Sequence, residues 1–485
     1  MGLTLLCFAL AADPETAPIE KQVREALRAW SVPGAAVIVV RGHQTLVAQG
    51  FGVREVGKPE PVTAHTVFPL ASCTKAFTTT LVAMLADDGA IGWDDPVSKH
   101  LPGFKLSNPH ANALVSLRDL LTHRTGVSGH DLLWYRAPWS LDETIRRVGL
   151  VPLDYPFRGG YRYSSIMYLA AGRALERAVG EKWDKLVRNR ICEPLGMTGV
   201  TFTTRDIPQQ ADRASGHRSG KDGQTIVVPW YEIDEPNPSG SVNATATDIA
   251  AWLKFHLSNG LGPSGKRLVS ATNLAETHTP QTIIRLEGLT RILNPETVQL
   301  SYAMGWLVYD YRGKKVLSHG GMIDGFRVQL TFLPEEDLGI GILANLQDTR
   351  MTAALTNSLI DWHCGLPAKD WNGYFGKVVA AEAAERAATL RARDAARKPN
   401  TQPSLPLAAF AGEYNHPAYG IVTVSETNGH LTLKWSRFTC RLDHFETDTF
   451  RIIDENQFQE QLVVFRVKDG SAMTLRFLEL EFLRK

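Results

Sequence analysis

Residues 70–91 read LASCTKAFTTTLVAMLADDGAI. Ser72 and Lys75 stand three apart at the head of a mostly apolar run that reads as a buried helix over 76–91. On a helix, positions i and i+3 share a face, so the two side chains can meet. A lysine kept neutral by burial could take the serine's proton and turn the hydroxyl into a nucleophile. At ordinary residue frequencies a chain of this length contains Ser-x-x-Lys about once by chance. The weight therefore falls on what surrounds the tetrapeptide.

Upstream, residues 17–30 carry helical periodicity. PGAAVIVVRGHQTLVAQGFGVRE (33–55) reads as two strands around a Gly42-His43 turn. Downstream, further helices are expected at 167–179 and 248–258, separated by polar, Gly- and Pro-rich loops. From about residue 302, YAMGWLVYD, KKVLSHGG, FRVQLTFLP and GIGILAN are apolar strands, followed by a last helix at 352–364. Strands, a helical stretch and strands again predict an α+β domain: an antiparallel sheet with helices and an all-helical insertion, the sheet drawn from both ends of the chain. Residues 376–397 are Ala- and charge-rich, a solvated helical spacer, and KPNTQPSLP (398–406) is a linker by composition. Beyond it, two alternating segments turn at Asn428-Gly429 and Asp469-Gly470, which are strong hairpin signals. They predict a small C-terminal antiparallel β domain, a barrel. The expected boundaries are 13–365 for the first domain, 366–404 for spacer and linker, and 405–485 for the barrel.

Charged residues make up 21% of the 485 and the net charge is +1, so no nucleic-acid partner is advertised. No apolar run reaches the length of a transmembrane helix. Five scattered cysteines without C-x-x-C spacing suggest neither a zinc site nor a disulfide framework. The short apolar start, MGLTLLCFALAADPE, resembles a secretory signal whose basic region is missing. Residues 1–12 are accordingly expected to be a signal-peptide remnant of an exported chain.

Three stretches combine with each other: Ser72-x-x-Lys75, YRYSS (161–165) and SHGG (318–321). Their order and spacing resemble the serine β-lactamase and penicillin-binding-protein superfamily, with its S-x-x-K, Tyr-x-Asn and K-T-G or H-x-G elements. WDDPVSKHLPGF (93–104), SLRDLLTHRTGV (116–127), ICEPLGMTGV (191–200), SGSVNATATDIAAWL (239–253) and YAMGWLVYDYRGKKVLSHGGMIDGF (302–326) extend the likeness. They resemble the branch of class C-type β-lactamases, family VIII esterases and D-aminopeptidases, and the tail resembles a lipocalin-like module. The resemblance implies that Ser72 is the acylated nucleophile, Lys75 its proton partner and Tyr163 a phenol relaying the proton to the leaving group, with Tyr161 as the alternative. Ser165 stands where the family has Asn; it is shorter and lacks the amide's paired donors. His319-Gly320-Gly321 matches the third element. A strand glycine lets a substrate backbone approach, and the backbone N–H groups of Ser72 and Met322 would form the oxyanion hole.

Other features have plainer readings. Cys73 points about 100° away from Ser72 on a helix and is a packing residue. GLGPSGKR (260–267) ends in Arg and follows a helix, so it is a turn and not a phosphate loop. His123 and His130 lack a ligand set, and no metal or organic cofactor is expected. The absence of G-x-S-x-G argues against an α/β-hydrolase elbow. The expected activity is ester or amide hydrolysis through a Ser72 acyl-enzyme, as an esterase or D-amino-acid peptidase. The alternatives are a true β-lactamase, a D-Ala-D-Ala carboxypeptidase or a non-catalytic penicillin sensor. The partner is a small molecule or short peptide, and a homo-oligomer is compatible with the reading.

Overall fold

The valine-rich run Gly34–Arg41 is buried at seven of its eight positions, and Leu338–Ala344 at all seven. A strand loses both faces to the interior only where its sheet is covered on both sides. The computed structural model describes residues 16–205, 207–220, 222–233 and 235–485; the expected leader, residues 1–12, lies outside them. Among these residues two compact units form. One comprises residues up to Asp95, Ser116–His123 and Ala171–Val379; the other comprises Pro96–Val115, Arg124–Ala170 and Ala380–Lys485.

In the first unit the chain runs through α1 (Ala17–Trp30), β1 (Gly34–Arg41), β2 (Gln44–Gly52) and α2 (Thr74–Asp87). After α3 (Ser165–Val179), which begins in the second unit, come α4 (Ala246–Leu257), β3 (Thr282–Ile284), β4 (Leu300–Tyr302) and β5 (Leu307–Tyr311). Then follow β6 (Lys314–Ile323), β7 (Phe326–Leu333), β8 (Leu338–Ala344), α5 (Met351–His363) and the start of the long α6 (Trp371–Ala396), which belongs to the second unit from Ala380 on. The eight strands make one antiparallel sheet in the order β2-β1-β8-β7-β6-β5-β4-β3. Pairing of β1 with β8 brings the two ends of the domain together, as the strand pattern predicts.

Alternation along β1 and β8 sorts the side chains between two helical layers. Ala35, Val37, Val39, Ile340 and Ile342 join Ile19, Val23, Leu355 and Leu359 of α1 and α5 in one core. On the opposite face α4 lies so close that Cβ atoms on Gly339 and Gly341 would meet Leu253 at 3.1 Å and Ile249 at 3.0 Å. Helix α2 buries twelve of its fourteen residues, the mark of a core helix, and Phe77 stacks on Trp252 at 4.0 Å. Buried Asp361 accepts from Tyr311 Oη at 2.8 Å, Arg312 at 2.7 Å and Trp371 Nε1 at 2.7 Å, tying β5, α5 and the start of α6 together.

In the second unit, helical turns and loops of residues 96–115 and 124–170 accompany a closed eight-stranded antiparallel barrel. Its strands are β9 (Gly412–His416), β10 (Gly420–Thr427), β11 (His430–Trp435), β12 (Phe438–Glu446), β13 (Thr449–Ile452), β14 (Leu462–Lys468), β15 (Ser471–Phe477) and β16 (Leu480–Arg484). Asn428, Gly429, Asp469 and Gly470 all take φ between +51° and +76°, the left-handed pair that tight hairpins require. Trp435, Phe438, Phe458 and Phe477 fill the interior, with Phe438 edge-on to Phe458 at 4.7 Å. No helix among the described residues is long and apolar enough to cross a membrane.

Candidate active site

Ser72 occupies a single 3-10 turn, Ala71–Cys73, that runs directly into α2. Ala71 has φ +45°, a left-handed conformation that costs a residue with a Cβ about 1–2 kcal/mol. The turn is held from the other side by β6. A Cβ on Gly321 would lie 2.2 Å from Leu70 O and 3.2 Å from Ala71 Cβ. Only a residue without a side chain lets the strand and the serine turn approach this closely.

Lys75, one helical turn on, is fully buried. Its Nζ lies 3.2 Å from Ser72 Oγ and donates to Ser239 O at 3.1 Å. The Ser239 carbonyl is itself fixed, because the Ser239 N–H and hydroxyl both donate to Asn237 Oδ1, at 2.8 and 2.7 Å. The Gly305 turn, with φ +79°, presses on the same helix; a Cβ there would sit 2.8 Å from Ala76 Cα and 3.0 Å from Lys75 C. Two remote loops thus set the lysine against the serine. Cys73, between them, is buried and donates its thiol to His319 O at 3.2 Å. Burial pushes that thiol up to about 12, so it remains a packing group, as read from the sequence.

His319 is only 5% exposed. Its Nδ1 lies 2.7 Å from Gly320 O and its Nε2 3.2 Å from Tyr302 Oη. A carbonyl can only accept, so Nδ1 carries the proton and Nε2 accepts from the tyrosine. Burial first, and then the charge of Lys75, push this imidazole down to about 3. His123, also buried, packs on Tyr302 with centroids 4.6 Å apart. Burial and the charges of Lys75 and His319 hold it well below the usual histidine range. Gly320 faces open space, with Val328 O 3.8 Å from its hypothetical Cβ, and Met322 beyond it is exposed.

Ser72, Lys75, His319, Gly320, Gly321 and Met322 belong to the first unit, whereas Tyr163 and Ser165 belong to the second. There the rings of Tyr161 and Tyr163 lie 6.5 Å apart, and buried Ser165 opens α3. Burial raises the Tyr161 phenol far above its ordinary value. Sequence reasoning missed Ser239, Tyr302 and Gly305 and read His123 as a bystander. All four lie in phrases that carried the family resemblance, but no local pattern marks them.

The family model described as Beta-lactamase matches residues 19–361. The chain belongs to the Beta-lactamase family. Residues 396–484, which include the barrel, match a second model, a domain of unknown function called DUF3471. Among curated relatives, the Unguisins hydrolase ungD of Aspergillus violaceofuscus is 29% identical over 482 residues, covering 91% of this chain and 84% of that protein. Penicillin-binding protein 4 of Amycolatopsis lactamdurans is 29% identical over 322 residues, 65% of this chain and 81% of its own. Among solved structures, the octameric penicillin-binding protein homologue from Pyrococcus abyssi superposes with a TM-score of 0.63 at 20% identity, covering 97% of this chain and all of that one. The likeness in fold to that chain therefore covers both the residues matched by the Beta-lactamase model and the barrel.

Proposed function

We propose that this chain hydrolyses esters or amides through an acyl-enzyme on Ser72. The observation that carries the reading is the contact of the fully buried Lys75, through its Nζ, with the Oγ of a partly exposed Ser72. With Lys75 neutral, its lone pair takes the proton as Oγ attacks the substrate carbonyl. The backbone N–H groups of Ser72 and Met322 receive the oxyanion. By the family resemblance Tyr163 relays that proton to the departing alcohol or amine; water then attacks the acyl-enzyme, its hydroxyl leaving with the acid and its remaining proton restoring the Ser72 hydroxyl. Gly320 offers an edge along which a substrate lies and Gly321 keeps the serine turn against it, and the family resemblance carries a substrate-binding role over to Ser165. A relative named as a hydrolase that spans 91% of the chain supports turnover.

The neutral, internally hydrogen-bonded His319 favours uncharged acyl groups over a penicillin carboxylate, so an esterase or D-selective peptidase is the preferred form of the activity. Export of the chain belongs to the same proposal. The test is labelling by a fluorophosphonate, read by peptide mass mapping, alongside turnover of p-nitrophenyl acetate. Modification at Ser72 with turnover is expected. Well-folded protein that shows neither would remove the enzyme reading, and acylation without turnover would favour a sensor.

A further inference from the structure

We infer that the C-terminal barrel braces the segment that carries Tyr163, and that His130, Tyr419 and Ser436 are positioning residues for that tyrosine. The inference rests on the proton-delivery role proposed above for Tyr163, and every contact behind it lies within the second unit.

Two loops at one end of the barrel do the holding. In the first, between β9 and β10, His416 Nδ1 accepts from the N–H groups of Ala418 and Tyr419 at 3.1 and 3.2 Å, and Trp435 Nε1 donates to Tyr419 O at 3.0 Å. The Tyr419 ring, only 4% exposed, is thereby preset, and its hydroxyl lies 2.6 Å from His130 Nδ1. Arg147 reaches the same loop, donating to Ala418 O at 2.8 Å with its guanidinium 4.1 Å from the Trp139 centroid. In the second loop, between β11 and β12, the Ser436 hydroxyl and the Arg437 N–H both donate to Arg136 O, and the Arg136 guanidinium sits 5.5 Å from the Phe438 centroid.

His130 and Arg136 have φ of +54° and +53°. Such conformations persist in residues with side chains when surrounding contacts over-determine them, and here the barrel provides those contacts. The grip is passed along the chain. Ser128 donates through both its N–H and its hydroxyl to Asp154, and the N–H groups of Asp154 and Tyr155 return to Gly126 O at 3.2 Å. Arg158 N–H donates to Arg124 O at 2.8 Å. Gly126 has no room for a side chain, since a Cβ would lie 2.3 Å from Tyr155 O. Arg162 then stacks on Tyr155 at 3.8 Å and donates to Tyr161 O at 2.8 Å. From the barrel rim to the residue before Tyr163, the steps are direct contacts joined by the backbone between His130 and Ser128.

A proton donor works only when held within a fraction of an ångström of its target. A loosened brace therefore acts on the step in which the leaving group is protonated. Substrates with activated leaving groups, such as p-nitrophenolate, depart without that proton, whereas alkyl esters and amides depend on it. A merely stabilising barrel would scale all substrates together.

The experiment compares Tyr419→Phe, Ser436→Ala and the double variant in the full chain with Tyr163→Phe and with a barrel-surface control, Ser425→Ala. The double variant is expected to lose about five- to tenfold in kcat on an alkyl ester and less than about twofold on the p-nitrophenyl ester. Amide exchange should accelerate over 124–131 and 154–162, while Ser425→Ala should match wild type in both assays. Unchanged exchange in those segments would overturn the brace. Faster exchange with equal losses on both esters would overturn the link to Tyr163. If Tyr163→Phe itself shows no leaving-group-selective loss, the role given to Tyr163 fails and the positioning inference falls with it, whatever the exchange data show. Should the double variant not fold, Tyr419→Phe alone, which keeps the ring, decides the same comparison with a smaller split.

Discussion

Replacing Gly321 by alanine tests how tightly β6 holds the nucleophile. The added methyl would stand 2.2 Å from Leu70 O and 2.7 Å from Val328 Cγ2. Real Cβ atoms essentially never come closer than 3.0 Å to such atoms, so the strand and the Leu70–Ala71 backbone must part by about 0.8 Å. Neither neighbour can yield by a simple rotation, because one is backbone in the serine turn and the other is a buried strand residue. Overpacking of this kind costs about 1–3 kcal/mol of stability. A displacement approaching 1 Å at a reacting group can cost about 100-fold in rate, roughly 2.7 kcal/mol of transition-state stabilisation. The assay is thermal melting alongside kcat/KM for p-nitrophenyl acetate. Gly320→Ala is the paired variant: its methyl meets only Val328 O, at 3.8 Å. That protein should melt like wild type and differ in KM alone, because the methyl stands where a substrate would lie. If Gly321→Ala kept its melting temperature and stayed within about twofold of wild type in kcat/KM, the close approach would not be what positions Ser72.

Four further outcomes follow from the same geometry. Ser72→Ala and Lys75→Ala should each lower turnover by several orders of magnitude with the fold intact by circular dichroism, while Cys73→Ala keeps most activity; the reverse pattern would move the nucleophile to Cys73. The depressed His319 pKa means its contribution to stability is complete above pH 6.5 and is lost as pH falls from there through about 3. Melting temperature measured against pH should therefore decline less steeply on the acid side in His319→Gln than in wild type. In a panel of short esters, D-amino-acid amides and nitrocefin, ester or D-amide hydrolysis should exceed β-lactam hydrolysis by at least about tenfold in kcat/KM, about 1.4 kcal/mol, and His319→Lys should narrow that gap. Asp361→Ala strands Arg312, Tyr311 and Trp371 Nε1 and should cost about 3–5 kcal/mol by chemical denaturation.

Much of the architecture is visible in the chain because it rests on local pattern. The apolar stretches within 33–55 and 339–345 read as strands, whose burial on both faces the structure adds, and Asn428-Gly429 and Asp469-Gly470 announce turns whose φ values are indeed positive. The Ser72–Lys75 contact is equally local, since i and i+3 meet on any helix. What escapes the sequence is contact over long separations. Ser239 reaches Lys75 from 164 residues away, and the pairing of Tyr302 with His319 requires β4 and β6 to lie in one sheet with only β5 between them. Gly321 illustrates the difference. As a strand glycine it reads as room for a substrate, yet the room is already taken by Leu70 and Ala71.

Lys75, His123 and His319 share the buried face of this site, and neither imidazole there is favoured as a cation. Each imidazole is disfavoured as a cation by burial, and the charge of Lys75 acts on both in the same direction. His319 is held to its neutral form twice over, because its Nδ1–H is committed to Gly320 O and its Nε2 to the Tyr302 hydroxyl. A lysine at position 319 would add a cation beside Lys75 for a substrate carboxylate to pair with. With histidine there, an anionic substrate would have to draw on Lys75 itself, in its protonated form. A lysine paired with a carboxylate is stabilised in its protonated form and so is a poorer acceptor for the Ser72 proton. Binding of a carboxylate would then oppose the first chemical step, whereas a neutral acyl group leaves Lys75 able to begin it.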